Sequence, residues 1–155
     1  MDRTDQDIVR LLRGNGRLSH EEISREIHLS RPAVHDRVKR LESNGVIRGY
    51  RAEVDWEAVE LPLTAFIWVR VQGICHPVGQ EILALSTADA LVESCHRVAG
   101  DWCLLLHTHS ASTKALQALL DKIVSLPKVQ NTMTTVALST LTPDTQSEET
   151  CERAS

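Results

Sequence analysis

The chain predicts an α+β protein of two small domains, a three-helix unit followed by a sheet carrying two helices. Three observations predict it. Apolar residues recur at helical spacing up to about residue 50, and β-branched apolar runs alternate with helical patterns beyond residue 60. The third is charge: residues 1–50 hold 10 Lys+Arg against 8 Asp+Glu, net +2, whereas residues 51–155 hold 7 against 13, net −6. Halves of opposite sign face different partners. With 155 residues, 42% of them hydrophobic, the chain has material for two modest cores. The expected division is a helical domain over 1–50, a hinge over 51–61, a mixed domain over 62–142 and a disordered tail over 143–155.

In the first half, Thr4 with Asp7 predicts the cap of a helix whose Ile8, Leu11 and Leu12 supply one wall of a trihelical core. Ser19 followed by Glu22 predicts a capping box for a second helix, in which Ile23 and Ile27 share a stripe. His28-Leu29 leads to Ser30, which caps a third helix with Pro32 tolerated in its first turn. There Val34, Val38 and Leu41 fall on one face, so Pro32, Ala33, His35, Asp36, Lys39 and Arg40 point outward. Arg37 sits at the edge of the apolar stripe, where a guanidinium pairs with an acid of the first or second helix. Gly45, after Ser43-Asn44, suits a left-handed helix end, and Val46-Ile47 begins an extended piece. Three helices and a strand make a helix-turn-helix of winged-helix-like form.

Most charged helical faces are ordinary solvated surface. From Ser30 to Leu41, however, four basic residues stand against one acid, net +3 in a chain of net −4. Positive charge concentrated on the free face of the second helix of such a pair fits a DNA groove.

In the second half, Leu63 to Gln72 (LTAFIWVRVQ) predicts a strand, and His76 to Leu85 a helix with Val78, Ile82 and Leu85 on one face. Two strands follow near Leu91 to Val98 and Trp102 to His109, joined at Gly100-Asp101 by what reads as a two-residue hairpin turn. Ala111 to Leu126 predicts a second helix with Leu116, Leu119, Leu120 and Ile123 inward, and Lys128 to Leu141 a last strand. The order βαββαβ is that of the ferredoxin-like split β-α-β, an antiparallel sheet with both helices on one face. Apolar residues on both sides of the strands, as in Phe66-Ile67-Trp68-Val69 and Leu104-Leu105-Leu106, leave the other face needing cover. A second copy of the chain is the simplest cover.

The four cysteines, Cys75, Cys95, Cys103 and Cys151, have no CxxC spacing, and in a reducing compartment read as free structural thiols. Pairing the strands around Gly100-Asp101 puts His96 on one face with Cys103 and His107, a conceivable soft-ligand cluster. Without CxxC or HxxxH spacing, core or interface filling is favoured and no metal is expected. No run approaches the roughly 20 apolar residues of a membrane span, and the opening MDRTDQ is unlike a signal peptide, so a cytoplasmic protein is expected. The last segment, PDTQSEETCERAS, has no large apolar side chain to offset its ordering entropy.

With LSRPAVHDRVKRLESNGVIRGY in the helix-turn-helix, the strand crossing into βαββαβ, and CHRVAGDWCLLL, the chain resembles the Lrp/AsnC (feast/famine) family of transcription regulators over about residues 2–141. The resemblance implies an N-terminal DNA-binding domain and a C-terminal domain that dimerises, with further assembly to tetramers or octamers. It also implies a small effector, usually an amino acid, bound between subunits. Carried over, it places Ser30, Arg31, Ala33, His35, Asp36, Lys39 and Arg40 on the recognition helix. Lys39 and Arg40 would then neutralise phosphates, while Arg31, His35 and Asp36 reach base edges, Arg at guanine and Asp at cytosine. A dimer would read double-stranded DNA as an imperfect inverted repeat, its centres about one helical turn or a multiple apart.

The resemblance also places Gly100-Asp101 beside an effector cleft and Thr132 and Thr134 at hydroxyl positions of the last strand. An amino acid needs an acceptor for its ammonium and donors for its carboxylate, which these groups can supply. The plainer reading is a good turn and good strand formers. Met133 stands where better-known relatives often carry a basic residue, and Thr135 where an aromatic is frequent. Sirohaem decarboxylases share the two-domain architecture and form the enzymatic alternative. The basic helix and the Gly-Asp turn favour a regulator that is no enzyme and needs no cofactor.

Overall fold

A computed structural model describes residues 1–140, which fall into two compact units, Met1–Glu53 and a second from Val54 onward. The tail expected over 143–155 lies outside the described residues.

The first unit is α1 (Arg3–Gly14), α2 (His20–Ile27) and α3 (Arg31–Ser43). The cap of α1 differs from the Thr4–Asp7 expectation: Asp2 is the N-cap, its carboxylate accepting from Asp5 N–H at 2.8 Å while Asp5 reaches back to Asp2 N–H at 3.2 Å. Asp5 is held there by cations of α3, a long-range preference that local spacing does not contain. The other two caps form as the sequence predicts. Ser19 Oγ accepts from Glu22 N–H (3.2 Å) with the reciprocal bond at 2.7 Å, and Ser30 Oγ accepts from Ala33 N–H (3.4 Å). Between α2 and α3 the chain turns at His28 (φ 54°), and Ser24 Oγ closes the turn by donating to the Leu29 carbonyl at 2.7 Å.

Ile8, Ile23, Val34, Val38 and Leu41 are buried together, so each helix contributes to one small core. After α3, Gly45 takes φ 68°, and Val46 and Ile47 N–H both donate to the Leu41 carbonyl. The extended strand expected at Val46-Ile47 does not form. These amides are consumed at the helix end, and no strand lies beside them among the described residues of this unit.

The second unit runs β1 (Leu63–Val71), α4 (Cys75–Leu83), β2 (Ala90–Arg97), β3 (Leu104–Ser110), α5 (Thr113–Val124) and β4 (Val129–Val136). The sheet order is β2-β3-β1-β4 with every neighbour antiparallel, the ferredoxin-like arrangement. Alternation sets the two faces. Ala65, Ile67, Val69, Leu104 and Leu106 pack beneath Val78 and Ile82 of α4 and Leu116, Leu119 and Ile123 of α5. The opposite face carries Thr64, Phe66, Trp68 and Arg70 of β1 against His109, His107 and Leu105 of β3, and no helix among the described residues of this unit covers it. Among the described residues no helix is long and apolar enough to cross a membrane.

Two details of the β2–β3 hairpin differ from expectation. The last register pair is Arg97↔Leu104, followed by Val98 N–H to the Cys103 carbonyl at 3.1 Å, so residues 99–102 form a four-residue loop rather than a two-residue turn at Gly100-Asp101. Arg70 anchors that loop, donating from Nε to the Asp101 carbonyl at 2.9 Å while its guanidinium lies 5.2 Å from the Trp102 ring centroid. The second is a β-bulge: Val92 pairs with Thr108 and Ser94 with His107, leaving Glu93 surplus. A bulge sets two residues opposite one, and here Glu93 and Ser94 both stand opposite His107.

Candidate functional site

Helix α3 presents its N-terminus and one long face to solvent. Ser30, Arg31, His35, Asp36, Lys39 and Arg40 are exposed and Ala33 is half-buried, while Val34, Val38 and Leu41 hold the helix from behind. Ser30 Oγ accepts the Ala33 amide, leaving its hydroxyl proton to donate outward. The His35 ring meets His20 edge-on at 5.2 Å, which fixes it against the start of α2.

Arg37 pairs with the first helix, as its phase predicts, bridging Asp2 and Asp5 at 2.7 Å each. Arg40, expected at a phosphate, is also drawn to Asp5, at 3.0 and 3.1 Å, although its side chain remains 54% exposed. Among the described residues the cations of the face without an ion pair are Arg31 and Lys39. Asp5 itself is 3% exposed. Burial pushes its carboxyl up, but hydrogen bonds from Arg37 and the Asp2 amide, with the Arg40 charge, hold it below the usual carboxylate range. A depressed carboxylate contributes stability above its unfolded pKa, and that stability is lost as pH falls through the folded value. Asp5→Ala removes a cap and charge-assisted bonds together. It is expected to cost about 2 kcal/mol at neutral pH and to flatten the loss of stability below about pH 4, as read by denaturant titration across pH.

An open groove of about 1180 Å³ lies in the same unit between the end of α1 and residues 46–53, lined among others by Arg13, Arg17, Arg48 and Arg51. Tyr50 holds this segment by donating to Glu42 at 2.9 Å. These arginines were not among the residues singled out from sequence. Arg13 and Arg17 four apart, with Arg48 and Arg51 beyond the third helix, were the available signal.

In the second unit the residues carried over for the effector lie in the β2–β3 loop and along the β4 edge strand. Gly100 (φ 132°) and Asp101 are exposed in the β2–β3 loop tied to Arg70, and the next residue of β1, Val69, pairs with Thr132. Thr134 pairs with Ile67, one step further along. Both threonines therefore share the parity of the helix-covered face but lie on an edge strand, Thr132 half-buried and Thr134 exposed. On this chain alone Asp101 and Thr134 are exposed and Thr132 is half-buried.

The open face of the sheet carries a second constellation. His107 Nδ1 and His109 Nε2 lie 2.8 and 2.9 Å from the same Glu93 Oε2, and His109 Nδ1 lies 3.1 Å from Thr64 Oγ1. Trp56 stacks on His109 at 3.8 Å and Phe66 on His107 at 4.8 Å. Burial lowers the His107 pKa, with Glu93 opposing. The soft-ligand grouping of His96, Cys103 and His107 does not assemble: Cys103 packs against the helix-covered core, its Sγ 3.7 Å from the Val71 carbonyl, and His96 binds Ser94 at 3.1 Å.

Comparison with known proteins bears on both units. Residues 1–48 match the family described as winged helix-turn-helix DNA-binding, and residues 64–147 match the Lrp/AsnC ligand binding domain. The chain is 36% identical to the HTH-type transcriptional regulator LrpA of Mycobacterium tuberculosis, over 94% of this chain and 95% of that one. It is 34% identical to the leucine-responsive regulatory protein of Haemophilus influenzae, over 89% and 84% respectively. Among solved structures, LrpC of Bacillus subtilis aligns with TM-score 0.79 and 32% identity, covering 94% of this chain and 99% of that one. The feast or famine regulatory protein of M. tuberculosis in complex with L-methionine aligns with TM-score 0.79 and 36% identity, covering 94% and 97%.

Proposed function

The chain belongs to the Lrp/AsnC family of DNA-binding transcriptional regulators with a ligand-binding domain, and on that basis we propose how its parts divide the work. Residues 1–50 bind DNA, residues 51–61 link, and residues 62–142 pair two copies and hold an amino-acid effector. The open sheet face supports the pairing, because half-exposed Phe66, Trp68 and Leu105 form an apolar surface that a second copy would bury. The protein works in the cytoplasm and acts by binding rather than by catalysis.

The observation that carries the DNA reading is the face of α3. Among the described residues Arg31 and Lys39 make no ion pair, and Arg37 and Arg40 are anchored to Asp5, so the helix is held in place with Arg31 and Lys39 exposed. Arg31, at the first turn, is placed for a base edge with His35 and Asp36 behind it, while Ser30, Lys39 and Arg40 address phosphates and Ala33 a thymine methyl. Two such helices related by a dyad read an imperfect inverted repeat.

For the effector, Asp101 supplies the acceptor for an ammonium, and the loop amides with Thr132 and Thr134 supply donors for a carboxylate. The relative solved with L-methionine supports an amino acid as the ligand class. Because these groups are open on a single chain, a second subunit would complete the cleft, which couples ligand to assembly. Only a ligand with different affinities for two assemblies shifts helix spacing, and a coupling of about 1 to 3 kcal/mol changes operator affinity about 5- to 150-fold. The test is operator affinity and assembly size measured against a panel of amino acids.

A further inference from the structure

We propose that Glu93, His107 and His109 form a binding site for a divalent transition-metal ion of the zinc class on the open face of the sheet. Three donor atoms converge there, Glu93 Oε2, His107 Nδ1 and His109 Nε2, all within 4.8 Å of one another. Two imidazoles and one carboxylate make a donor set that zinc favours, and three protein ligands leave a fourth position for water or a ligand.

The geometry fits in three respects. Metal–ligand bonds of about 2.0 to 2.1 Å place tetrahedral donors about 3.3 Å apart. The two contacts to Glu93 Oε2, 2.8 and 2.9 Å, need open by about half an ångström, and the two ring nitrogens, within 4.8 Å of each other, must draw together around the ion. The second respect is tautomer: a ligating histidine donates its other ring N–H, and His109 Nδ1 has Thr64 Oγ1 at 3.1 Å for that purpose. With Nδ1–H committed to Thr64, the Nε2 lone pair points at Glu93, an arrangement that a cation between them stabilises. The third is rigidity. His109 is 2% exposed beneath Trp56, and His107 is stacked on Phe66, so both rings are oriented before any ion arrives.

The β-bulge between Val92 and Ser94 completes the set. Val92 pairs with Thr108 and Ser94 with His107, so Glu93 and Ser94 stand together opposite His107 and the Glu93 carboxylate lies beside both histidines. His107 and Glu93 are about one-third exposed on the single chain. Zinc held here would crosslink β2 to β3 beside the apolar patch of Phe66 and Leu105, whatever covers that patch.

The experiment uses the full chain stripped with a chelator. Zn²⁺ is titrated in competition with a chromophoric chelator, and Co²⁺ is added in parallel to read coordination from its visible absorption. His109 is buried, so its replacement endangers the fold; Glu93→Gln and His107→Gln, at accessible positions, carry the test, with His96→Ala as the neighbouring control. One Zn²⁺ per chain is expected, weakened at least about 100-fold by each of the first two changes and unaltered by the third. Thr64→Val should weaken it about tenfold. Absence of uptake means that protons alone fill the cluster, and uptake that Glu93→Gln and His107→Gln leave unchanged belongs to other residues such as the cysteines; either result overturns the site.

Discussion

Arg31→Ala is expected to lower affinity for a specific operator about 5- to 150-fold while leaving affinity for unrelated DNA much less affected. A guanidinium at the first turn of α3 can reach two acceptors of a guanine edge, and losing such a bidentate contact costs about 1 to 3 kcal/mol. Arg31 is exposed, and its side chain makes no ion pair among the described residues. Its removal therefore leaves the helix core of Val34, Val38 and Leu41 in place. Lys39→Ala should behave differently, weakening all sequences alike and reducing the slope of log affinity against log salt by about one. Arg40→Ala combines a phosphate contact with release of Asp5, so its thermal stability must be read alongside its DNA binding. Fluorescence anisotropy at several salt concentrations separates these effects. Equal losses on specific and unrelated DNA for Arg31→Ala would move that residue from base reading to backbone contact.

The second large effect is in the sheet. Ile67 is fully buried at the centre of β1, between Leu106 of β3 and Thr134 of β4, beneath the helices. Ile67→Ala leaves a cavity among rigid neighbours and is expected to cost about 3 to 4 kcal/mol in urea denaturation. Trp68, one residue on, faces the open side and is half-buried, so Trp68→Ala should cost the single chain less and instead promote dissociation of the assembly. If the two variants were equally destabilising and left assembly size alone, the open face would not be the surface that pairs two copies.

The division between what local sequence revealed and what it did not follows the range of the interactions. Ser19 and Ser30 cap their helices through bonds spanning three residues, and these were legible. The start of α1 was not, because Thr4 with Asp7 and Asp2 with Asp5 satisfy the same spacing. Arg37 and Arg40, some thirty residues away, decide for Asp5. In the second unit the alternating runs gave the order of strands and helices, and the family resemblance agreed with it. The bulge at Glu93 left no mark in LVESCHR, whose residues suit either register, so the Glu93, His107 and His109 grouping became visible only in three dimensions. Thr132 and Thr134 were expected on the last strand, but their share in the helix-covered parity follows from pairing with Val69 and Ile67, which only the register supplies.

The proposed function stands on coupling between effector binding in the second unit and the spacing of two α3 helices. The most direct measurement is operator affinity of the full chain, on a fragment selected from a random DNA library, with and without each proteinogenic amino acid at fixed salt. Sedimentation is run under the same conditions. At least one amino acid should change affinity about 5- to 150-fold together with assembly size, and Asp101→Ala should abolish that response without lowering affinity in its absence. Affinity and assembly that stay the same across the whole panel would contradict the account.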